Sequence, residues 1–185
     1  VYPSILFPTN LTVNGGEYIN VRPTINDPQS RLLSREWDVS ISGGKEFEYS
    51  PTNLSISFTA PKNTDDQTAT VKFSYTYRGE GTDSSIGSRS VSAQVQIKAV
   101  IPDTPSNFQG TTGMSQSADF TWNISPGTAS YKLYYSPSSS LSKSDNFVEI
   151  EDESRDSSFL TKIINDTTLY FAISAMNSVG ESSLS

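Results

Sequence analysis

The stretch from Ile163 to Ser185 reads I-I-N-D-T-T-L-Y-F-A-I-S-A-M-N-S-V-G-E-S-S-L-S and gives the clearest structural signal in the chain. Its centre, Leu169 to Met176, is rich in aliphatic and aromatic residues, and it predicts a long β-strand. The turn residues Asn177-Ser178-Val179-Gly180 follow directly. We expect Gly180 to adopt a positive φ there, since glycine does so at no steric cost.

The rest of the chain shows the same preference for β-structure, because apolar residues alternate with polar ones and no convincing helical period occurs. In Arg35–Ile41 the alternation places Trp37, Val39 and Ile41 on one face of a strand. Similar segments, separated by Gly-, Pro- and Asn-rich turns, lie at residues 17–22, 54–58, 71–77, 91–97, 118–124 and 130–135. Strands at this spacing, each with one apolar face, predict β-sandwiches.

The segment Val100-Ile101-Pro102-Asp103-Thr104-Pro105 predicts a domain boundary. Its two prolines cannot donate hydrogen bonds to a sheet, and they stiffen the backbone. We therefore expect an all-β chain of two tandem immunoglobulin-like β-sandwiches, residues 1–101 and 102–185, joined by a short Pro-containing linker.

The composition excludes several classes of function. The 185 residues include no His and no Cys, so a Ser-His-Asp or Cys-His nucleophile and an ordinary zinc site are absent. A net charge of -7 argues against a nucleic-acid surface, which needs clustered Lys and Arg. No apolar run approaches the ~20 residues that span a bilayer. A carboxylate pair for glycoside hydrolysis has no cleft to serve, so we expect no enzyme.

The C-terminal half, from Pro105 to the end, resembles a fibronectin type III domain. The residues that carry this resemblance are Pro105, Phe108, Trp122, Tyr131, Ile164, Thr168, Tyr170, Ile173, Ala175, Asn177, Gly180 and Ser182. The resemblance implies that Tyr170 buries its ring between the sheets and returns its hydroxyl to the upstream backbone. It also implies a final strand after the Gly-Glu-Ser turn. Only Ser183-Leu184-Ser185 remain, so that strand is either truncated or supplied by another segment.

The N-terminal half is similar to a PKD-type or other immunoglobulin-like domain of bacterial surface proteins. The residues that carry the similarity are R-E-W-D-V-S-I-S-G-G and S-I-S-F-T-A-P. Ser42-Gly43-Gly44 stands where the PKD family has Gly-Asp-Gly. Across both halves, the residues predicted to form the structural core are Trp37, Phe58, Tyr75, Trp122, Tyr131, Ile164, Tyr170, Ala175 and Gly180.

Aromatic side chains are one class of candidate binding residue, because rings stack on sugars. Trp37 and Trp122 lie on alternating strands among inward-facing apolar residues, which favours core packing over binding. For Tyr77, Tyr134 and Tyr135 the pattern does not decide between core packing and binding. Neighbours on a strand point to opposite faces, so one ring of the pair Tyr134-Tyr135 is expected to face outward and to be exposed.

Acidic side chains are the other class. Glu151, Asp152, Glu153 and Asp156 form a candidate Ca²⁺ site, because calcium takes 6–8 oxygen ligands. The spacing is not that of an EF-hand loop, and a solvated acidic face is the simpler interpretation. We otherwise expect no cofactor.

The sequence thus predicts a monomeric, non-catalytic structural, adhesive or spacer module of a larger secreted or cell-surface protein, most simply a bacterial one. Its expected partners are neighbouring domains of the same chain and a glycan or protein surface. The alternative is a carbohydrate- or protein-binding accessory module attached to an extracellular enzyme. An exposed aromatic cluster with Asn, Asp or Arg nearby would favour that alternative.

Overall fold

The structure, a computed structural model, describes residues 2–9, 11–42, 44, 49–52, 54–80, 85–111, 116–151, 156–161 and 167–185, with the backbone alone at 159–161. It divides into two compact units, Val1–Pro61 with Asp66–Lys98, and Lys62–Asp65 with Ala99–Ser185. Every regular element in the described residues is a β-strand. The prediction of an all-β chain with tandem immunoglobulin-like sandwiches is confirmed, while the boundary between residues 101 and 102 stays a prediction.

The strands of the first unit are β1 (Ser4–Leu6), β2 (Leu11–Asn14), β3 (Tyr18–Val21), β4 (Thr24–Asn26), β5 (Leu32–Ile41), β6 (Tyr49–Pro51), β7 (Ile56–Thr59), β8 (Gln67–Arg78) and β9 (Ile86–Lys98). They form a four-stranded sheet of order β2-β9-β8-β5, a three-stranded sheet β3-β7-β6 and the pair β1-β4. The pairing of β2 with β9 is parallel, and the other described pairs in this unit are antiparallel.

The core of the first unit follows from period-two alternation. In β8, Val71, Phe73 and Tyr75 point inward and are buried. Trp37 on β5 is half-buried, and its ring meets that of Phe73 edge to face with centroids 4.7 Å apart. The indole N–H of Trp37 donates to the carbonyl of Thr52 at 3.0 Å. This polar end of the ring is therefore satisfied at the edge of the core.

The strands of the second unit are β10 (Ser106–Gly110), β11 (Ser117–Asn123), β12 (Ser130–Ser136), β13 (Asn146–Ile150), β14 (Ser157–Thr161) and β15 (Tyr170–Met176). They form two antiparallel three-stranded sheets, β10-β11-β14 and β13-β12-β15. Trp122 and Tyr131 are buried in the core of this unit, with ring centroids 5.3 Å apart. The hydroxyl of Tyr131 accepts a hydrogen bond from the backbone N–H of Ser125 at 3.2 Å, so this buried ring also fixes the turn before β12.

Tyr170 is not a core residue, and this prediction from the sequence is wrong. It is 42% exposed. On β15, Ile173 and Ala175 are buried in the core and Phe171 packs against them. Tyr170 differs from these three by an odd number of positions, so it belongs to the opposite face of the strand. The resemblance placed the ring of Tyr170 between the sheets, but it is the preceding residue, Leu169, that shares the face of Phe171.

Gly180 also differs from the expectation, since it is not among the glycines with positive φ. A Cβ atom at this position would stand 3.2 Å from Cδ1 of Ile101. That distance is tighter than ordinary van der Waals contact, so close approach of Ile101, not backbone handedness, favours glycine here. Ile164, another residue predicted for the core, lies outside the described residues.

The last residues run beside β15. The backbone N–H of Ser182 donates to the carbonyl of Ala175 at 2.9 Å, and that of Ser185 donates to the carbonyl of Ile173 at 3.0 Å. The hydroxyl oxygens of Ser182 and Ser185 accept from the N–H groups of the same two β15 residues, at 3.0 and 3.1 Å. These serine side chains therefore satisfy backbone donors of β15 on the side away from β12.

Candidate functional site

The outer face of the sheet β2-β9-β8-β5 carries polar side chains in rows that cross three strands. Each row takes one residue from β5, one from β8 and one from β9, paired by the antiparallel register. Neighbouring strands lie about 4.8 Å apart, so the members of a row stand side by side. Two adjacent rows are Ser34, Thr76 and Ser88, and Glu36, Ser74 and Ser90.

These two rows, with Tyr75 and Arg89, line a cavity of about 360 Å³. Glu36 is the charged residue whose side chain lies on this face, because Arg89 pairs with the buried Tyr75 and so belongs to the opposite face of the sheet. The hydroxyls of Ser34 and Thr76 are 2.6 Å apart and share a hydrogen bond. No side-chain hydrogen bond or ion pair connects Glu36 to another residue that the structure describes. Its carboxylate is therefore open to a ligand.

Arg89 contacts aromatic rings on the other face of the sheet, at the same end. Its guanidinium carbon lies 5.6 Å from the ring centroid of Tyr77 and 5.9 Å from that of Tyr2. The two rings meet edge to face with centroids 5.4 Å apart, and Tyr2 is 42% exposed. Cation–π contacts at exposed sites contribute about 0.5–1 kcal/mol each. They restrict the guanidinium group of Arg89 and leave its N–H donors at the surface.

The outer face of the sheet β13-β12-β15 in the second unit is different, because its central aromatic ring is covered. Tyr134 occupies the outward position on β12 and is only 1% exposed. The ring of Phe147 lies 5.5 Å from it, and Nζ of Lys132 stands 4.6 Å from the centroid of Phe147. The other ring of the predicted pair, Tyr135, is half-buried near Phe171. The expectation of an exposed ring at Tyr134-Tyr135 is therefore wrong.

Glu181 is the centre of this covered face. Its Oε1 accepts hydrogen bonds from the hydroxyl of Tyr134 at 2.9 Å and from that of Ser174 at 2.8 Å. Nζ of Lys132 lies 3.6 Å from Oε2, and Nζ of Lys143 lies 3.8 Å from Oε1. Lys143 also donates to the backbone carbonyl of Glu181 at 3.2 Å. We call these five residues the Glu181 cluster.

The surroundings shift two pKa values in the cluster. Burial raises the pKa of Glu181, but the hydrogen bonds from Ser174 and Tyr134 and the positive charges of Lys143 and Lys132 outweigh it, and the net pKa is lowered. Burial, together with the hydrogen bond to Glu181, raises the pKa of Tyr134 to about 12. At neutral pH Glu181 is therefore an anion that accepts from a protonated Tyr134. This arrangement anchors the C-terminal segment to the sheet.

The calcium candidates are only partly described. Glu151 and Asp156 are exposed, whereas Asp152 and Glu153 lie outside the described residues. Within the part of the chain that the structure describes, no three His, Cys, Asp or Glu side chains group as metal ligands. The calcium site stays a prediction. No helix among the described residues has the length and apolar character that crossing a bilayer requires.

Sequence reasoning did not identify Glu36, Arg89 or Glu181. Glu36 and Arg89 lie on the strands on either side of β8, and the register sets them on opposite faces of the sheet, Glu36 beside Ser74 and Arg89 beside Tyr75. Glu181 is the one charged residue in the stretch Met176 to Ser185, and this isolation is a weak indication of a role in the fold. Its partners on β12 and β15 could not be read from that signal.

No protein-family model and no curated protein matches this sequence. Among solved structures, the chain is similar to the crystal structure of domains A168-A170 from titin, with 14% identity, a TM-score of 0.39, and coverage of 100% of this chain and 63% of that one. It is also similar to the FN1-FN3 domains of chicken CNTN1, with 13% identity, a TM-score of 0.44, and coverage of 97% and 64%. The chain thus spans less than two thirds of either structure.

Proposed function

We propose that the chain is a non-catalytic structural or adhesive module of a larger secreted or cell-surface protein. The observation that carries this proposal is that each unit buries an apolar core of its own, one around Val71 and Phe58 and one around Trp122 and Tyr131. A unit with its own core can fold independently and can space or display other parts of a chain. We extend the proposal to a bacterial source and a PKD-type first half, because R-E-W-D-V-S-I-S-G-G and S-I-S-F-T-A-P are similar to that family.

Unfolding of the two units tests the modular part of this proposal. The chain has two tryptophans, Trp37 in the first unit and Trp122 in the second. A Trp37→Phe variant leaves Trp122 to report on the second unit by fluorescence during urea titration, and Trp122→Phe does the converse. Independent modules give two transitions, each with an m-value smaller than that expected for the whole chain. One coincident transition with the m-value of all 185 residues would contradict the proposal.

Adhesion needs a separate measurement. Beads coated with the full chain are expected to be retained on protein or polysaccharide coats, and protease treatment of intact source cells is expected to release this segment. A protected segment in intact cells would exclude the surface location.

The second candidate function is recognition of a carbohydrate or protein by the first unit. The contact of Arg89 with Tyr2 and Tyr77 favours it, and on the other face of the same sheet so does the cavity beside Glu36. This is the aromatic and arginine grouping that would distinguish a binding module from a spacer. Binding to immobilised glycans and proteins by the full chain, compared with an Arg89→Ala variant, tests it. Equal binding by both proteins would argue against a role for this face.

A further inference from the structure

We propose that the first half of β9, residues 86–92, binds an extended segment of another protein, which adds to the sheet as a strand with an acidic residue opposite Arg89. This inference rests on the recognition function proposed above, and it names the class of partner and the way it binds. Two features carry it, an uncovered strand edge and an arginine without an anionic partner.

The edge of β9 is covered over only part of its length. β8 pairs with residues 86–97 on one side, whereas β2 pairs only with residues 95–98 on the other. On the β2 side, no backbone hydrogen bond reaches residues 86–92 from any residue that the structure describes. This half of β9 is therefore an open sheet edge, which is a template for another strand.

One hydrogen bond shows which residues turn their backbone groups toward the open edge. The carbonyl of Lys98 accepts from the N–H of Gly15, directly after β2, at 2.9 Å. The N–H and C=O of a strand residue point to the same side, and successive residues alternate. An even number of positions along β9 therefore gives the residues that direct both groups away from β8, namely Ser88, Ser90 and Ser92.

The opposite edge of the same sheet is protected by charge. β5 forms that edge, and it carries Arg35, Glu36 and Asp38. Charged side chains discourage the pairing of an edge with another chain. Arg89 is the one charged residue in positions 86–92 of β9, where the others are Ile, Gly, Ser and Val. This edge lacks the same protection, and its single charge selects a partner of opposite sign.

Arg89 is held in place but has no anion to pair with. Its guanidinium group contacts the rings of Tyr77 and Tyr2. A Cβ atom at Gly87 would stand 2.6 Å from Cζ of Tyr77, so this glycine lets the ring cross β9 toward Arg89. Arg89 is exposed, and it has no hydrogen bond or ion pair with the described residues. Its N–H donors are available to a carboxylate.

The register of β9 defines the segment that fits. In antiparallel pairing with an acidic residue opposite Arg89, the residues two positions before and after it lie opposite Val91 and Gly87, on the inner face. The two residues between lie opposite Ser90 and Ser88 and exchange main-chain hydrogen bonds with them. The segment thus alternates polar and apolar residues around a central acid, as Thr-Val-Thr-Glu-Thr-Val-Thr does.

That peptide, labelled with fluorescein, is the probe, and fluorescence anisotropy follows its binding to the full chain. Replacing its Glu by Lys is expected to weaken binding about fivefold, because opposite charges across a strand pair attract and like charges repel. Arg89→Glu should reverse this preference. Methylation of the backbone nitrogens of the third and fifth peptide residues is expected to abolish binding, since these are the donors to Ser90 and Ser88.

Ser90→Pro removes an outward N–H and occupies the place of the added strand, so it should also abolish binding. Ser90→Ala is the matched control, because it keeps the backbone donor, and it is expected to bind as the parent does. Fluorescence of Trp37 in a Trp122→Phe background shows whether each variant remains folded.

The inference is overturned if neither peptide binds at millimolar concentration, if the methylated peptide binds as well as the unmodified one, or if Arg89→Glu leaves the preference unchanged. Dimers of the parent chain that Ser90→Pro abolishes in light scattering would assign the edge to a second copy, and would overturn the proposed partner. If no peptide binds but Arg89→Ala still reduces retention on immobilised proteins, strand addition alone fails and the recognition function stands.

Discussion

The outer faces of two sheets, β2-β9-β8-β5 in the first unit and β13-β12-β15 in the second, each have a glutamate and side-chain hydroxyls. The two glutamates differ in exposure and in hydrogen bonding. Glu36 on the first face is exposed and has no side-chain partner among the described residues. Glu181 on the second face is 18% exposed and is bonded to the hydroxyls of Tyr134 and Ser174. The carboxylate of Glu36 is available to a ligand, whereas that of Glu181 is already occupied by hydrogen bonds within the second unit.

The difference comes from what covers each face. In the second unit, the segment after the turn at Asn177 brings Glu181 over β15 and β12, and Ser174 and Tyr134 become buried. Buried hydroxyls need a partner, because leaving one unpaired costs about 1–3 kcal/mol. No such cost applies to an exposed carboxylate, whose partner is water. The comparison therefore predicts opposite responses to the same kind of substitution.

The largest effect is expected for Glu181→Ala. It leaves two buried hydroxyls without their acceptor, so the free energy of unfolding of the second unit should fall by about 2–3 kcal/mol. Urea titration followed by Trp122 fluorescence in a Trp37→Phe background measures it. A loss below about 1 kcal/mol would mean that water replaces the carboxylate as acceptor for the two hydroxyls. Glu181 would then not be what keeps this face from solvent.

Tyr134→Phe should have a smaller effect. It removes one hydroxyl and keeps the ring that packs on Phe147, so we expect a loss of about 1 kcal/mol in the second unit. Tyr77→Phe is the control in the first unit, and its expected change is within about 0.5 kcal/mol. Equal losses for the two variants would mean that the hydrogen bond from Tyr134 to Glu181 does not stabilise the second unit.

The pH dependence should be smaller again. The pKa of Glu181 is lowered in the folded protein, so its contribution is fully present above the unfolded value of about 4.3. It is lost as the pH falls through the folded pKa. Acid titration of the second unit should therefore show a loss that Glu181→Gln lacks. The raised pKa of Tyr134 adds a contribution that is present below pH 10 and lost as the pH rises towards about 12. Parallel acid curves for parent and variant would contradict this assignment.

The sequence predicted most of the fold, because period-two alternation reports which face of a strand meets the core. In the predicted strand at residues 71–77, the alternation sets Val71, Phe73 and Tyr75 on one face, and these three side chains are buried in β8. Its failure at Tyr170 was one of register, since a shift of one residue moves a side chain to the other face. Alternation alone could have excluded Tyr170 from the face of Ile173.

The candidate site was beyond the sequence for a different reason. The alternation predicts that Glu36 and Tyr134 point outward, but it does not predict which residues of other segments cover them. Cover depends on segments distant in the chain, such as Glu181 over β12, and on the register that sets Glu36 beside Ser74 and Ser90. The outward direction was predictable, and the degree of exposure was not.

The smallest effect completes the comparison. Glu36→Ala removes a carboxylate from an outer sheet face, as Glu181→Ala does, but it leaves no buried hydroxyl without a partner. The free energy of unfolding of the first unit, followed by Trp37 fluorescence in a Trp122→Phe background, should change by no more than about 0.5 kcal/mol. A loss as large as that of Glu181→Ala would show that Glu36 is held by the fold. In that case the carboxylate would not be available to a ligand, and the two faces would differ only in composition.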